Sequence, residues 1–281
     1  MSFANNKNYQ IYYKCHGSGP AIVLLHSFLC DGEMWSPQVK MLSGHFRVIN
    51  IDIRGHGRSD VADATLDIYD LVDDVVAVLD QEGIQSATWA GLSIGGMIAL
   101  RAAFSVPERV SHLVLLDTHA GTETRFKIAK YKTLVLLTKL LGIRPMLNIV
   151  SKLMFGRHTL REKPDLVTHW KEKFAAMPLV SIQNMVDALC GRDSLKSRLV
   201  AISQPALVIV GEEDISLPPP CSAAIAERLK DAKFVVIKHA GHLSTLEQPD
   251  RVNEAMLDFL SVQLPSIQVP SIQVPPIQDD G

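Results

Sequence analysis

The stretch Trp89-Ala90-Gly91-Leu92-Ser93-Ile94-Gly95-Gly96 places a serine in the pattern Gly-x-Ser-x-Gly. An apolar run that reads as a strand precedes it, and a helical pattern follows. In that setting the serine hydroxyl is raised on a sharp turn and can attack a carbonyl carbon. A hydroxyl needs a base to take its proton. Lys238-His239-Ala240-Gly241-His242-Leu243 follows the last strand-like run and offers two histidines. His242, beyond Gly241 on the outgoing loop, is the expected base, and His239 the structural neighbour. The imidazole needs an acid to orient it. Val208-Ile209-Val210-Gly211-Glu212-Glu213-Asp214 ends in three carboxylates. Asp214, furthest along the loop, is the expected acid, with Glu212 and Glu213 in solvent. Asp117, after the run Val110–Leu116, is its rival. The developing oxyanion calls for main-chain donors, expected at Ile94, the residue after the nucleophile, and at Phe28 in His26-Ser27-Phe28-Leu29. Leu92, Trp35 and Leu243 are candidate pocket walls.

The elements that must hold these groups alternate. Apolar runs at Ala21–His26, Phe46–Ile51, Ala87–Ala90, Val110–Leu116, Ala206–Val210 and Phe234–Ile237 are mostly continuous, as expected for strands covered on both faces. Helical patterns at Ile68–Leu79, Ile94–Phe104, Ala223–Leu229 and Val252–Leu260 separate them. Such alternation predicts βαβ units and a mostly parallel sheet, with Tyr9–Lys14 an antiparallel strand leading in. Between Asp117 and Gln204 the alternation stops. Leu134–Leu141, Met146–Met154, Pro164–Ala176 and Ser181–Leu189 read as helices and no strand stands out. A segment of this length is too long for a loop and predicts a helical cap rich in Met and Leu. The expected organisation is a core at 1–118, a cap at 119–204, more core at 205–262 and a Pro-rich tail at 263–281 carrying the repeat PSIQV.

Composition bounds the rest. The chain has 281 residues, 47% hydrophobic and 21% charged, enough for one large α/β domain. The net charge of −2 gives no argument for nucleic acid or for an anionic membrane surface. The N-terminus is polar, unlike a secretory signal. No apolar stretch approaches the roughly 20 residues of a membrane span, and the nearest, Thr133–Leu141, is broken by Lys139. Cys15, Cys30, Cys190 and Cys221 lack metal-ligand spacing, so no metal site is expected, and a reducing cytoplasm is the expected setting.

The order His26-Ser27-Phe28, Asp52-Ile53-Arg54-Gly55-His56-Gly57-Arg58-Ser59, Gly91-Leu92-Ser93-Ile94-Gly95-Gly96, Gly211-Glu212-Glu213-Asp214, Gly241-His242 resembles the α/β-hydrolase superfamily over roughly residues 9–262. The resemblance implies an eight-stranded sheet with helices on both faces and a lid inserted after the sixth strand. It also implies the triad Ser93, Asp214, His242, no cofactor, and His56 in a structural turn. Many members carry His-Gly where this chain has His26-Ser27. That serine, with Asp31-Gly32-Glu33-Met34-Trp35-Ser36-Pro37-Gln38, is similar to the 3-oxoadipate enol-lactonase branch, which grades into carboxylesterases. The implied substrate is a small-molecule ester or lactone. Carbon–carbon bond hydrolysis or perhydrolysis on the same triad is the alternative, as is a binding protein that keeps only the scaffold. Carbon–carbon hydrolases often have Asn where Leu92 stands, and haloalkane dehalogenases use Asp where Ser93 stands.

Overall fold

The computed structural model describes residues 2–62 and 65–264. Eight strands form one sheet in the order β1-β2-β4-β3-β5-β6-β7-β8. They are β1 Ser2–Asn6, β2 Tyr9–His16, β3 Ala21–Leu25, β4 Arg47–Ile51, β5 Ala87–Leu92, β6 Val110–Leu116, β7 Ala206–Gly211 and β8 Ala232–Ile237. The pairs β1–β2 and β2–β4 are antiparallel and the other five are parallel. The expected mostly parallel, eight-stranded sheet is therefore present. The polar β1 carries no apolar run, which is why periodicity does not reveal it.

Successive side chains of the buried strands sort to opposite faces. Val23, Leu25, Leu113 and Leu115 join a core beneath α2 (Ile68–Gln81) and α3 (Ile94–Ser105). Ile22, Leu24, Val114 and Leu116 join a second core on the other face. There α1 (Ser36–Leu42), also unforeseen from the sequence, packs with the last helix. Double coverage explains the continuous apolar runs. The edge strand β8 departs from them: Phe234 and Val236 are 39% and 43% exposed, because no further strand or helix covers that margin fully.

Between β6 and β7 the chain forms five α-helices, two short 3-10 turns and no strand: α4 Arg125–Leu141, α5 Leu147–Met154, α6 Arg157–Glu162, α7 Pro164–Ala175 and α8 Leu179–Gly191. This is the helical cap. The first two turns of α4 escape the periodicity reading because Arg125-Phe126-Lys127-Ile128-Ala129-Lys130-Tyr131-Lys132 interleaves cations with apolar residues on more than one face. After β7 come α9 Pro219–Ala226, α10 Ser244–Glu247 and α11 Pro249–Gln263. Pro219 starts α9 four residues before the predicted Ala223, since proline suits the first helical turn. The PSIQV repeat, from residue 265 onward, lies outside the described residues. Among the described residues no single helix is long and apolar enough to cross a membrane.

Candidate active site

Ser93 stands where β5 turns into α3, with φ +56° and ψ −111°. A non-glycine residue there is strained and is held only by its surroundings. Those surroundings are tight. A Cβ on Gly91 would lie 2.1 Å from Gly95 C, and one on Gly95 would lie 2.2 Å from Leu25 O. Ser93 N–H donates to Leu116 O at 2.8 Å, and Thr118 Oγ1 donates to Ser93 O at 2.6 Å. The turn is thus pinned to the end of β6. Ile94 opens α3, whose first-turn amides lack intrahelical acceptors and carry the positive end of the helix dipole.

The candidate acid and base follow the last two strands, β7 and β8. His242 and Asp214 are buried, with Nδ1 of the imidazole 2.8 Å from Asp214 Oδ2. The other carboxylate oxygen accepts from Ser216 N at 2.8 Å and Leu217 N at 2.9 Å. An ionised carboxylate can only accept, so the Nδ1 proton faces it and Nε2 is left free to accept. Burial disfavours the imidazolium, but the charge and hydrogen bond of Asp214 outweigh it. The His242 pKa is held above the usual histidine value.

The competing groups sort out by contact. Asp117 is fully buried at φ +46°, where it accepts from Gly211 N at 2.7 Å and from Ser244 Oγ at 2.5 Å. It braces the end of β7 and the start of α10, and among the described residues it makes no hydrogen bond to His242. Burial, then the charge of Asp214, pushes its carboxyl well above the carboxylate range. His239 is exposed and packs against His158, the rings tilted by 34° with centroids 4.8 Å apart. Glu212 is exposed as expected. Glu213 is not fully solvated: it accepts the His158 amide at 2.9 Å, in the first turn of α6. His56 is buried beside Phe28 and His26, and burial lowers its pKa to about 3. His26 joins Ser27 O at 2.8 Å to Ile53 N at 2.8 Å, fixing the loop that carries Phe28.

Ser27, Phe28, Ser93 and His242 meet at one cavity of about 140 Å³ between sheet and cap. Its far walls come from the cap, among them Leu134, Val135, Met146 and Val186. Leu92, Trp35 and Leu243 do not line it. All three are completely buried in the core on the α1/α11 face, so the sequence assignment of them as pocket walls is corrected. Glu123, Tyr131, Thr138 and Ser216 bring polar groups to a mostly apolar wall. Glu123 is paired at 2.8 Å with Arg192, whose buried guanidinium also binds Gly121 O and Leu189 O. Burial, then the Glu123 charge, raises the Tyr131 pKa to about 12. Ser27 Oγ is buried without a hydrogen-bond partner.

One carboxylate escapes the sequence reading. Glu247, fully buried in α10, accepts from Gly241 N at 2.9 Å and Leu243 N at 3.2 Å, the amides on either side of His242. Its other oxygen accepts from Gly156 N at 2.8 Å, at the α5–α6 junction. One side chain therefore clamps the loop of His242 and ties the cap to it. An acid five residues after His242 was the available signal. No group of three or more His, Cys, Asp or Glu among the described residues could hold a metal ion.

Comparison with known proteins places this geometry in context. The sequence profile described as alpha/beta hydrolase fold matches residues 20–249. A protein of Variovorax paradoxus named as a carbamate hydrolase, RutD, is 31% identical over 264 residues, covering 89% of this chain and 96% of the relative. 3-Oxoadipate enol-lactonase 1 of Acinetobacter baylyi is 28% identical over 249 residues, covering 86% and 89%. The solved structure of a thermophilic esterase from Thermogutta terrifontis superposes with a TM-score of 0.87 at 27% identity, covering 92% of this chain and 97% of that one.

Proposed function

The chain belongs to the alpha/beta hydrolase fold family, and on that premise we propose that it is a serine hydrolase of carboxylic esters or lactones with neutral, apolar acyl groups. Ser93 is the nucleophile, His242 the base and Asp214 the orienting acid. His242 Nε2 takes the Ser93 hydroxyl proton as Oγ bonds to the carbonyl carbon. The carbonyl oxygen, now an oxyanion, sits on the N–H groups of Phe28 and Ile94. The tetrahedral centre collapses, the carbon–oxygen bond to the leaving group breaks, and that oxygen takes the proton from His242. Water, deprotonated by the same imidazole, releases the acid and restores Ser93.

The observation that carries this reading is the buried 2.8 Å contact of His242 with Asp214 at the mouth of a cavity that Ser93 also lines. The acyl preference rests on the wall. Its charged member Glu123 is held by two cations, Arg192 and Lys127, and the residues around it are mostly aliphatic. The RutD and enol-lactonase relatives support acyl hydrolysis and leave the leaving atom open between carbamate nitrogen and ester oxygen.

The test is a screen of p-nitrophenyl acetate to octanoate, neutral lactones, a carbamate and a ring-fission dienoate, run beside Ser93→Ala. Turnover of esters or lactones that vanishes in the variant supports the proposal. Turnover of the dienoate alone moves the protein to carbon–carbon hydrolysis. A folded protein inert to every member rejects the esterase reading.

A further inference from the structure

The overall charge of −2 conceals a sharp division. Residues 124–161 hold nine lysines and arginines and no aspartate or glutamate, which leaves the rest of the chain at −11. The segment opens with α4, and α4 is apolar on two sides. Its inner side, with Tyr131, Leu134, Val135 and Thr138, walls the cavity. Its outer side is bare: Phe126, Leu136, Leu140 and Leu141 are 79%, 54%, 69% and 61% exposed.

The spacing of the outer side is regular. Phe126, Ala129, Thr133, Leu136 and Leu140 follow steps of three and four residues and form one stripe along the helix. Arg125, Lys132 and Lys139, seven residues apart, border the stripe on one side, and Lys130 stands on the other. All four are exposed. The one ion pair on α4 among the described residues is Lys127–Glu123, at 4.0 Å, so the bordering cations are not neutralised from within. Exposed apolar residues flanked by cations form the pattern of a helix that lies in a membrane interface, with side chains in the acyl boundary and ammonium groups among anionic headgroups.

We propose that the outer face of α4 docks on an anionic lipid bilayer, α4 lying along the surface with Phe126, Leu136 and Leu140 inserted. Charge decides between occupants. A second copy meeting this face through two-fold symmetry would bring like cations together. An anionic lipid surface supplies the opposite charge and an apolar layer in the same geometry. Docked this way, the helix that walls the cavity is also the helix in contact with lipid.

The experiment is cosedimentation of the full chain with vesicles of phosphatidylcholine alone and of phosphatidylcholine with an equal part of phosphatidylglycerol, at low and high salt. The expected result is a preference for the anionic vesicles of about 100-fold at low salt, shrinking as salt rises. Lys130→Glu/Lys132→Glu/Lys139→Glu should abolish that preference, and Phe126→Ser/Leu140→Ser should weaken binding about 10-fold. These side chains are exposed, so circular dichroism and hydrolysis of a water-soluble ester should be unchanged in both variants. Equal binding to both vesicles, no binding to either, or binding indifferent to the charge reversal would overturn the proposal. So would dimerisation in sedimentation velocity that the reversal abolishes while vesicle binding is absent, which would assign the face to a second copy.

Discussion

The two sides of the cavity are built by opposite rules. On the sheet side Ser93, Asp214 and His242 are buried, and the segments that carry them are held by several bonds. Asp214 has three partners, Glu247 clamps both neighbours of His242, and Ser93 is locked between Leu116 and Thr118. On the cap side the wall is apolar, drawn from separate helices, with a cationic exterior. Rigid polar contacts preorganise charge in a way that loose packing cannot. Apolar walls tolerate change of shape at modest cost. The chemistry should therefore be intolerant of substitution on the sheet side, and the substrate range adjustable from the cap.

Substitutions can break or sharpen that contrast. His242→Ala should cost the most, about 10⁴-fold or more in kcat, with the fold retained by circular dichroism. Asp214→Asn should cost about 10⁴-fold, because the amide can present N–H to Nδ1 and favour the wrong tautomer. It should also move the acid limb of the pH–rate profile. In the parent protein the base works only when neutral, so kcat/KM should rise with pH through a midpoint above 6.5, the direction of the His242 shift. Removing the Asp214 charge should carry that midpoint downward. The same shift has a stability consequence: a raised histidine pKa stabilises the fold below the unfolded value, and that contribution fades as pH rises through the folded one. Urea unfolding of the parent and of His242→Gln across pH 5 to 9 should show the difference narrowing at the alkaline end.

Glu247→Gln should have an intermediate effect. An amide cannot accept all three N–H groups, so the base loop or its tie to Gly156 loosens. The expected loss is about 10-fold in kcat with little change in KM, and a lower Tm. Equal losses on all esters would mark positioning of the base. A loss graded by acyl length would mark the cap instead. The smallest effect belongs to the cap: Val186→Phe should narrow the cavity and lower kcat/KM for octanoate about 10-fold relative to acetate, leaving acetate nearly unchanged. If Val186→Phe damaged acetate turnover as severely as Glu247→Gln, the division between a rigid chemical side and an adaptable cap would fail.

The same division decides what could be read from the sequence. Ser93 was legible because a strained turn needs glycines at fixed neighbouring positions, a strictly local demand. That His242 and Asp214 lie side by side was legible because each follows a recognisable apolar strand of the sheet. Asp117 could not be dismissed from sequence. Only its hydrogen bonds to Gly211 and Ser244 take it away from the imidazole. Glu247 was missed because its three partners come from two separate segments of chain. The pocket walls were misread for a related reason. Trp35, Leu92 and Leu243 neighbour the motifs in sequence, but they point into the sheet core. The true walls come from helices whose arrangement no periodicity reports. A whole-chain charge sum averages a cationic cap against an anionic core, so the division between them does not show in it.

The central claim is that Ser93 is the nucleophile that His242 activates. It is tested most directly by treating the protein with diethyl p-nitrophenyl phosphate and mapping the adduct by mass spectrometry. The expected result is one diethylphosphoryl group, on the peptide containing Ser93, with activity lost in proportion to labelling, and no adduct in His242→Ala over the same time. Inactivation with the adduct on another residue, or full labelling of Ser93 in the His242 variant, would contradict it.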